Sequence, residues 1–211
     1  MPDLAPWLPM ILASYLLGAI PFGLLIGRMR GVDVRTVGSR NIGATNVFRT
    51  VGKPWGIATF ALDALKGFIP AFIFPYYGYL WGGEFHSMEL AKLAGGAAAI
   101  IGHNFPIYLR FRGGKGVATS AGALIGIAPL AVVVGSVVWA AFFFALRYVS
   151  LASIAAAIAV PVAGWIWYRS AGWILPATLT LLAALIILRH RENIRRLLNG
   201  TENRFQRKSK R

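Results

Sequence analysis

The sequence predicts an all-α membrane protein that crosses the bilayer several times, and three observations carry that prediction. Hydrophobic residues make up 57% of the 211, and the mean hydropathy is +0.61, well above what a water-soluble domain of this length needs. Apolar runs long enough to cross a bilayer recur along the chain. The 22 Lys and Arg residues collect between those runs rather than on one basic face, so a positive-inside bias explains the formal charge of +15 and no nucleic-acid partner is expected. With no cysteine in the chain, disulfides, thiolate catalysis and Cys-based metal sites are excluded.

A spanning helix needs about 20 apolar residues. Runs of that kind cover roughly 4–27, 55–75, 89–109, 149–168 and 172–188. The first follows Asp3 with no basic region before it and no convincing cleavage site, and is read as a retained helix. Between Val117 and Leu146 the apolar run is too long for one span and short for two, with Pro129 near its middle. Three basic segments orient the chain: six cations from Arg28 to Lys53 against Asp33, three in 110-RFRGGK-115, and nine from Arg189 onward against Glu192 and Glu202. These are expected on the cytoplasmic side, with Asp3, Glu84 and Glu89 opposite. An N-terminus outside and a C-terminus inside require an odd number of crossings. Splitting the central run at Pro129 gives seven transmembrane helices, some of them short. One membrane domain is expected over 1–202, followed by a basic, disordered cytoplasmic tail at 203–211.

Three polar segments on the cytoplasmic side carry the candidate chemistry. In 38-GSRNIGATNVFRTVGK-53, the Ser39 and Thr45 hydroxyls, the Asn41 and Asn46 amides and Arg49 can all donate hydrogen bonds, and no carboxylate stands among them. That inventory suits a dianion such as a phosphate monoester. Arg28, Arg30 and Arg35 are left to orientation. In 102-GHNFPIYLRFRGGKGVATS-120, Gly113, Gly114, Lys115 and Gly116 precede a helix expected from about Val117. A glycine-rich turn, a lysine and a helix N-terminus together can hold a phosphate, although the spacing is not that of a Walker A loop. A tight turn with a snorkelling lysine is the plainer alternative. In 189-RHRENIRRLLNGTEN-203, His190 and Asn193 lie three residues apart and share a helical face. A lone interfacial histidine is more often structural, but all three segments emerge on one side, where they can converge. Asp63 and Lys66, three apart in the second run, read first as a buried ion pair and second as the coupling groups of a transporter.

Taken together, 38-GSRNIGATNVFR-49, 102-GHNFP-106 with 113-GGKGVATS-120, and 190-HRENIRRLLNGTE-202 resemble the motifs of the PlsY family of bacterial integral-membrane glycerol-3-phosphate acyltransferases, in the family's order. The segments 62-LDALKG-67 and 148-YVSLAS-153 are similar to lesser family patterns. The resemblance implies transfer of an acyl group from acyl phosphate to the 1-hydroxyl of glycerol 3-phosphate, giving lysophosphatidic acid and inorganic phosphate, with no cofactor and no metal. It also implies a seven-helix, N-outside protein of the bacterial cytoplasmic membrane, with membrane lipid as its surroundings and an active site at the cytoplasmic face. The oligomeric state is left open, a monomer being compatible with all of this. Carried over by position, Lys115, His190 and Asn193 are the catalytic candidates, and Ser39, Asn41, Thr45, Arg49, Gly113, Gly114, Gly116 and Ser153 the substrate-binding ones. One departure stands out: the family's first motif commonly reads Ser-Gly-Asn, whereas this chain has Ser39-Arg40-Asn41. If the glycine serves a positive φ, Arg40 strains the loop; alternatively Arg40 points to lipid headgroups or adds a phosphate contact.

The chemistry fits the residue inventory on its own terms. An acyl phosphate carries a good leaving group, so what remains is to hold two anions together, align the hydroxyl and stabilise the oxyanion. Cations and neutral donors do this, and carboxylates oppose it. A His-x-x-x-x-Asp pair is absent after His86, His103 and His190, where Ala91, Tyr108 and Arg195 stand. The competing function is a proton-coupled transporter of a small organophosphate. A carrier needs midplane binding residues between inverted repeats, and no such repeat is visible.

Overall fold

The computed structural model describes residues 7–76 and 87–206, and among these every regular element is helical. Asp3 and Glu84, placed outside by the charge pattern, fall beyond the described residues. The chain forms two compact units, 1–127 and 128–211.

In the first unit the leading apolar run is two helices, α1 (Trp7–Ala19) and α2 (Phe22–Met29), within one 23-residue candidate span. Pro21 causes the break, because it has no N–H to continue the ladder. The second run is α4 (Lys53–Phe68), preceded by the short α3 (Ala44–Thr50) and continued through a π-helical turn at Ile69–Ile73, where Pro70 again removes a donor. The third run is α5 (Met88–Asn104), 17 residues with Ser87 capping Leu90 N–H. The fourth is the short α6 (Val117–Ile127).

Small residues bring these helices together, as packing in lipid requires. A Cβ on Gly18 of α1 would overlap the Ala99 backbone of α5, and one on Gly102 of α5 the Tyr15 carbonyl of α1. Along α4, Gly67 meets the Thr119 carbonyl, and Gly122 of α6 meets that of Ala64. The Asp63–Lys66 pair lies within this packing. Lys66 Nζ is 2.7 Å from Asp63 Oδ1, with side chains 1% and 3% exposed, and it also donates to Ile20 O at 2.7 Å. The lysine thereby satisfies the carbonyl at the Pro21 break. The ion-pair reading of these two residues is thus realised as a tie between α4 and the broken first span.

The second unit contains α7 (Pro129–Leu146), α8 (Val149–Trp167), α9 (Ile174–Arg189) and α10 (Arg191–Leu198). The central apolar run does divide at Pro129: α6 ends at Ile127 and α7 begins at Pro129. α7 buries only Ala131 and Gly135 and exposes Val133, Val137 and Phe144, the pattern of a helix facing lipid. Among the described residues, four helical spans are long and apolar enough to cross a membrane, or five if the bent pair α9 and α10, at 56°, counts as one. Beyond α10 the chain does not leave at once. Phe205 N donates to Arg147 O at 2.9 Å, its ring meets Phe143 edge-on, and Arg204 lies over Tyr148. The expected disordered tail from 203 therefore starts with docked residues, and 207–211 lie outside the description.

Candidate active site

The first unit builds its polar site around one buried amide. Asn46, 1% exposed at the start of α3, donates to Val34 O at 2.8 Å, Asn41 O at 2.9 Å and Val37 O at 3.2 Å, while its Oδ1 accepts from Ser39 N at 2.9 Å. A single side chain therefore folds the stretch 34–41 over the helix. The sequence counted Asn46 among the anion donors; it is instead the loop's brace, with both ends of its amide committed to backbone. Asn41 Oδ1 accepts from Gly43 N at 2.9 Å, which shapes the entry to α3. Ser39, Thr45 and Arg49 are partly buried around this core, Arg49 in the last turn of α3. Arg40 has φ +57, the left-handed conformation that a glycine would adopt freely, so the departure from the family pattern is a strained position, held by Arg40 N donating to Val37 O at 3.0 Å.

Two of the arginines expected to set orientation, Arg35 and Arg30, have partners of their own. Arg35 forms a two-pronged pair with Asp33, Nε to Oδ1 at 2.9 Å and Nη2 to Oδ2 at 2.6 Å, which holds the Asp33 carboxyl far below the usual range. Arg30 lies 4.9 Å over the Trp55 ring.

The second segment returns to the same place. After Tyr15 Oη donates to Phe105 O at 2.7 Å, the chain turns through residues 106–112, and Leu109 packs on the cluster of Val34, Ile42 and Val47. Loops 34–47 and 106–112 are thus brought together by an apolar contact, and Arg35, Tyr108, Leu109, Arg110 and Arg112 line a cavity of about 390 Å³ there. The turn 113–116 lies against the end of α5. Gly114 N donates to His103 O at 3.1 Å, and Gly116, at φ +83, leads into α6. The N–H groups of the first turn of α6 and the Lys115 side chain belong to this turn, an arrangement suited to an anion.

In the second unit, His190 occupies the bend between α9 and α10 and is 2% exposed. Its Nδ1 is 2.8 Å from Ile186 O. A carbonyl only accepts, so Nδ1 carries a proton, and in a neutral ring Nε2 is then the basic nitrogen. Asn193, 4% exposed in the first turn of α10, donates from Nδ2 to Glu202 Oε1 at 2.8 Å. Ser150 Oγ donates to the same oxygen at 2.8 Å and Arg196 Nε to Oε2 at 2.7 Å. Burial opposes ionisation of Glu202, but these three hydrogen bonds outweigh it and hold the carboxyl below the ordinary glutamate value. Ser153 accepts from Trp139 Nε1 at 3.2 Å and donates to Val149 O at 2.8 Å.

Glu202 was missed as a functional support. The available signal was the Asn199-Gly200 pair after α10. Gly200, at φ +68, ends the helix with Thr201 N bonded to Arg196 O and Gly200 N to Leu197 O, a Schellman turn that brings Glu202 back to Asn193.

Helices throughout the described residues, several of them apolar enough to span a bilayer, define a multi-pass membrane protein. The family model for glycerol-3-phosphate acyltransferase matches residues 8–200. A glycerol-3-phosphate acyltransferase of Geotalea daltonii is 46% identical over 198 residues, covering 94% of this chain and 97% of the relative. That of Aquifex aeolicus is 43% identical, covering 93% and 97%. The crystal structure of PlsY, an integral membrane glycerol 3-phosphate acyltransferase, in its glycerol 3-phosphate form is 42% identical, with a TM-score of 0.81 and coverage of 94% and 95%. Its lysophosphatidic acid form is 40% identical with a TM-score of 0.80 and the same coverage. The chain belongs to the glycerol-3-phosphate acyltransferase family.

Proposed function

We propose that the protein transfers an acyl group from acyl phosphate to the 1-hydroxyl of glycerol 3-phosphate, in the first acylation of bacterial phospholipid synthesis. The observation that carries this reading is the donor-rich site of the first unit: hydroxyls, a neutral brace, Arg49 and the Lys115 turn, in a chain 42% identical to a protein solved in a glycerol 3-phosphate form. Arg49, Ser39 and Thr45, with Asn41 shaping the loop, bind the acceptor phosphate. Lys115 and the backbone of Gly113, Gly114 and Gly116 bind the donor phosphate. By the family's motifs, His190 and Asn193 are also catalytic and Ser153 also substrate-binding. The acceptor oxygen attacks the acyl carbonyl, the carbonyl–phosphate bond breaks, and inorganic phosphate leaves with the electron pair. The hydroxyl proton goes to the departing phosphate or to His190 Nε2, the two routes separated by the pH–rate profile of His190→Ala. Charge compensation by Lys115 and the helix N-terminus stabilises the transition state, and no strong acid is required.

The same reading places seven spans in the cytoplasmic membrane, with the N-terminus outside and the site at the cytoplasmic face. Purified protein given acyl phosphate and labelled glycerol 3-phosphate is expected to form labelled lysophosphatidic acid, with none from acyl-CoA. Product from acyl-CoA alone contradicts the donor assignment.

A further inference from the structure

The motif 102-GHNFP-106 has no assigned task in this reaction, yet its histidine and asparagine are among the most buried polar residues in the first unit, at 4% and 0% exposure. Both lie under the Lys115 turn. His103 O accepts from Gly114 N, and a Cβ on Gly113 would overlap that same carbonyl. The His103 ring is closer still: a Cβ on Gly114 would overlap its Nε2 edge, with Cε1 and Cδ2 2.7 Å and 3.0 Å away. At the far end of the turn, a Cβ on Gly116 would stand 2.9 Å from Asn104 Oδ1 and 3.2 Å from Nδ2. The opposite edge of the imidazole, Nδ1, faces Asp63 Oδ1 at 3.8 Å, the oxygen that holds Lys66.

We propose that His103 is a positioning residue for the reaction. It is a flat spacer, set on one edge against the intramembrane Asp63–Lys66 pair and on the other against the backbone of Gly114, and it fixes where the next residue, Lys115, presents its ammonium group. Glycines at 113 and 114 are required because the end of α5 and the imidazole already fill the space that side chains would take. The ion pair thereby gains a task beyond joining α4 to the first span: it backs the ring that backs the turn. This inference rests on the proposed role of Lys115 and goes beyond it by assigning the residue that aims the lysine.

A double-substitution cycle in the full-length protein tests the contact, with kcat and the KM for glycerol 3-phosphate measured separately and thermal melting in detergent as the folding control. Gly114→Ala pushes the turn off the ring and is expected to lower kcat by about 10²-fold, the cost of a misplacement near 1 Å. His103→Ala is expected to lower kcat by about 10-fold while KM for glycerol 3-phosphate moves less than about threefold, because the acceptor phosphate is held by Arg49. The new methyl at 114 fits the space that the ring vacates, so the double variant is expected to have a kcat at least about threefold above Gly114→Ala alone. A double variant at or below the product of the two single effects overturns the proposal, as does an unchanged kcat in His103→Ala. Should His103→Ala fail to fold, His103→Gln opens part of the same space with a polar side chain and replaces it in the cycle, with the same two outcomes. Wild-type protein that makes no lysophosphatidic acid refutes the reaction itself, whereas active wild type with multiplicative variants refutes only the role of His103.

Discussion

The loop at 34–50 and the segment at 190–202 are both polar, both buried at their centres, and braced in opposite ways. A neutral amide, Asn46, holds the first: it takes backbone partners only and spends no cation. A carboxylate, Glu202, holds the second, and in doing so engages Arg196 and the Nδ2 of Asn193. The difference is one of electrostatic economy. A neutral brace leaves the field of nearby cations available to a substrate anion, whereas a charged brace neutralises one cation and couples the local fold to pH. The proposed function therefore assigns dianion binding to the first region; in the second, His190 and Asn193 are held by hydrogen bonds to Ile186 O and Glu202.

The largest expected contrast is kinetic. Removing the cation of the first unit's turn, Lys115→Ala, is expected to lower kcat by about 10²–10³-fold, as measured by product formation under saturating substrates. Arg196→Ala, whose guanidinium is already matched by Glu202, should change kcat far less and act through stability; equal kinetic losses would erase the distinction between the two regions. Next comes the neutral brace. Asn46→Asp places a charge where backbone carbonyls are 2.8–3.2 Å away and is expected to cost about 3 kcal/mol or more, seen as a lowered melting temperature in detergent. An unperturbed melt would show that the loop is held elsewhere.

The charged brace predicts a smaller, pH-dependent effect. Glu202 has a folded-state acidity stronger than its ordinary value of 4.5, so its stabilisation is fully present above that value and is lost as the pH falls through the lower, folded one. Glu202→Gln is expected to cost about 1–3 kcal/mol at neutral pH and to flatten this acid limb. The smallest effect is at Arg40, where φ is +57. Replacement by glycine relieves about 1–2 kcal/mol of left-handed strain and returns about 0.5–1 kcal/mol of chain entropy. Arg40→Gly should therefore melt at or slightly above the wild-type temperature with its activity kept, and a clear loss of activity would mean that Arg40 touches substrate.

Hydropathy and punctuation made much of this molecule legible in advance. The apolar runs map onto α4 with its π-helical continuation, α5, α8 and α9 to within about five residues, and Pro129 marks the division between α6 and α7. The motif raised positive φ at Arg40 as one of several readings, and the backbone there does adopt it. Other features were less legible. Hydropathy ends the last apolar run at 188 but gives no sign of the 56° bend between α9 and α10 at His190. The composition of 38–53 shows that amides are present but not whom they serve, so Asn46 passed for a ligand donor when its partners are backbone groups up to twelve residues away. Glu202 entered the sequence reading only in the charge balance and at the end of a motif, because its partners Ser150 and Asn193 are brought to it by tertiary structure and a left-handed glycine.

The central claim, that the neutrally braced first unit holds the acceptor phosphate, is tested most directly by equilibrium binding of labelled glycerol 3-phosphate to purified protein without acyl donor. Arg49→Ala is expected to weaken binding by about 10-fold or more, as loss of a charge-assisted hydrogen bond of about 1.5–3 kcal/mol implies, while folded Glu202→Gln binds as the wild type does. Wild-type affinity in Arg49→Ala, or a loss confined to Glu202→Gln, would contradict it.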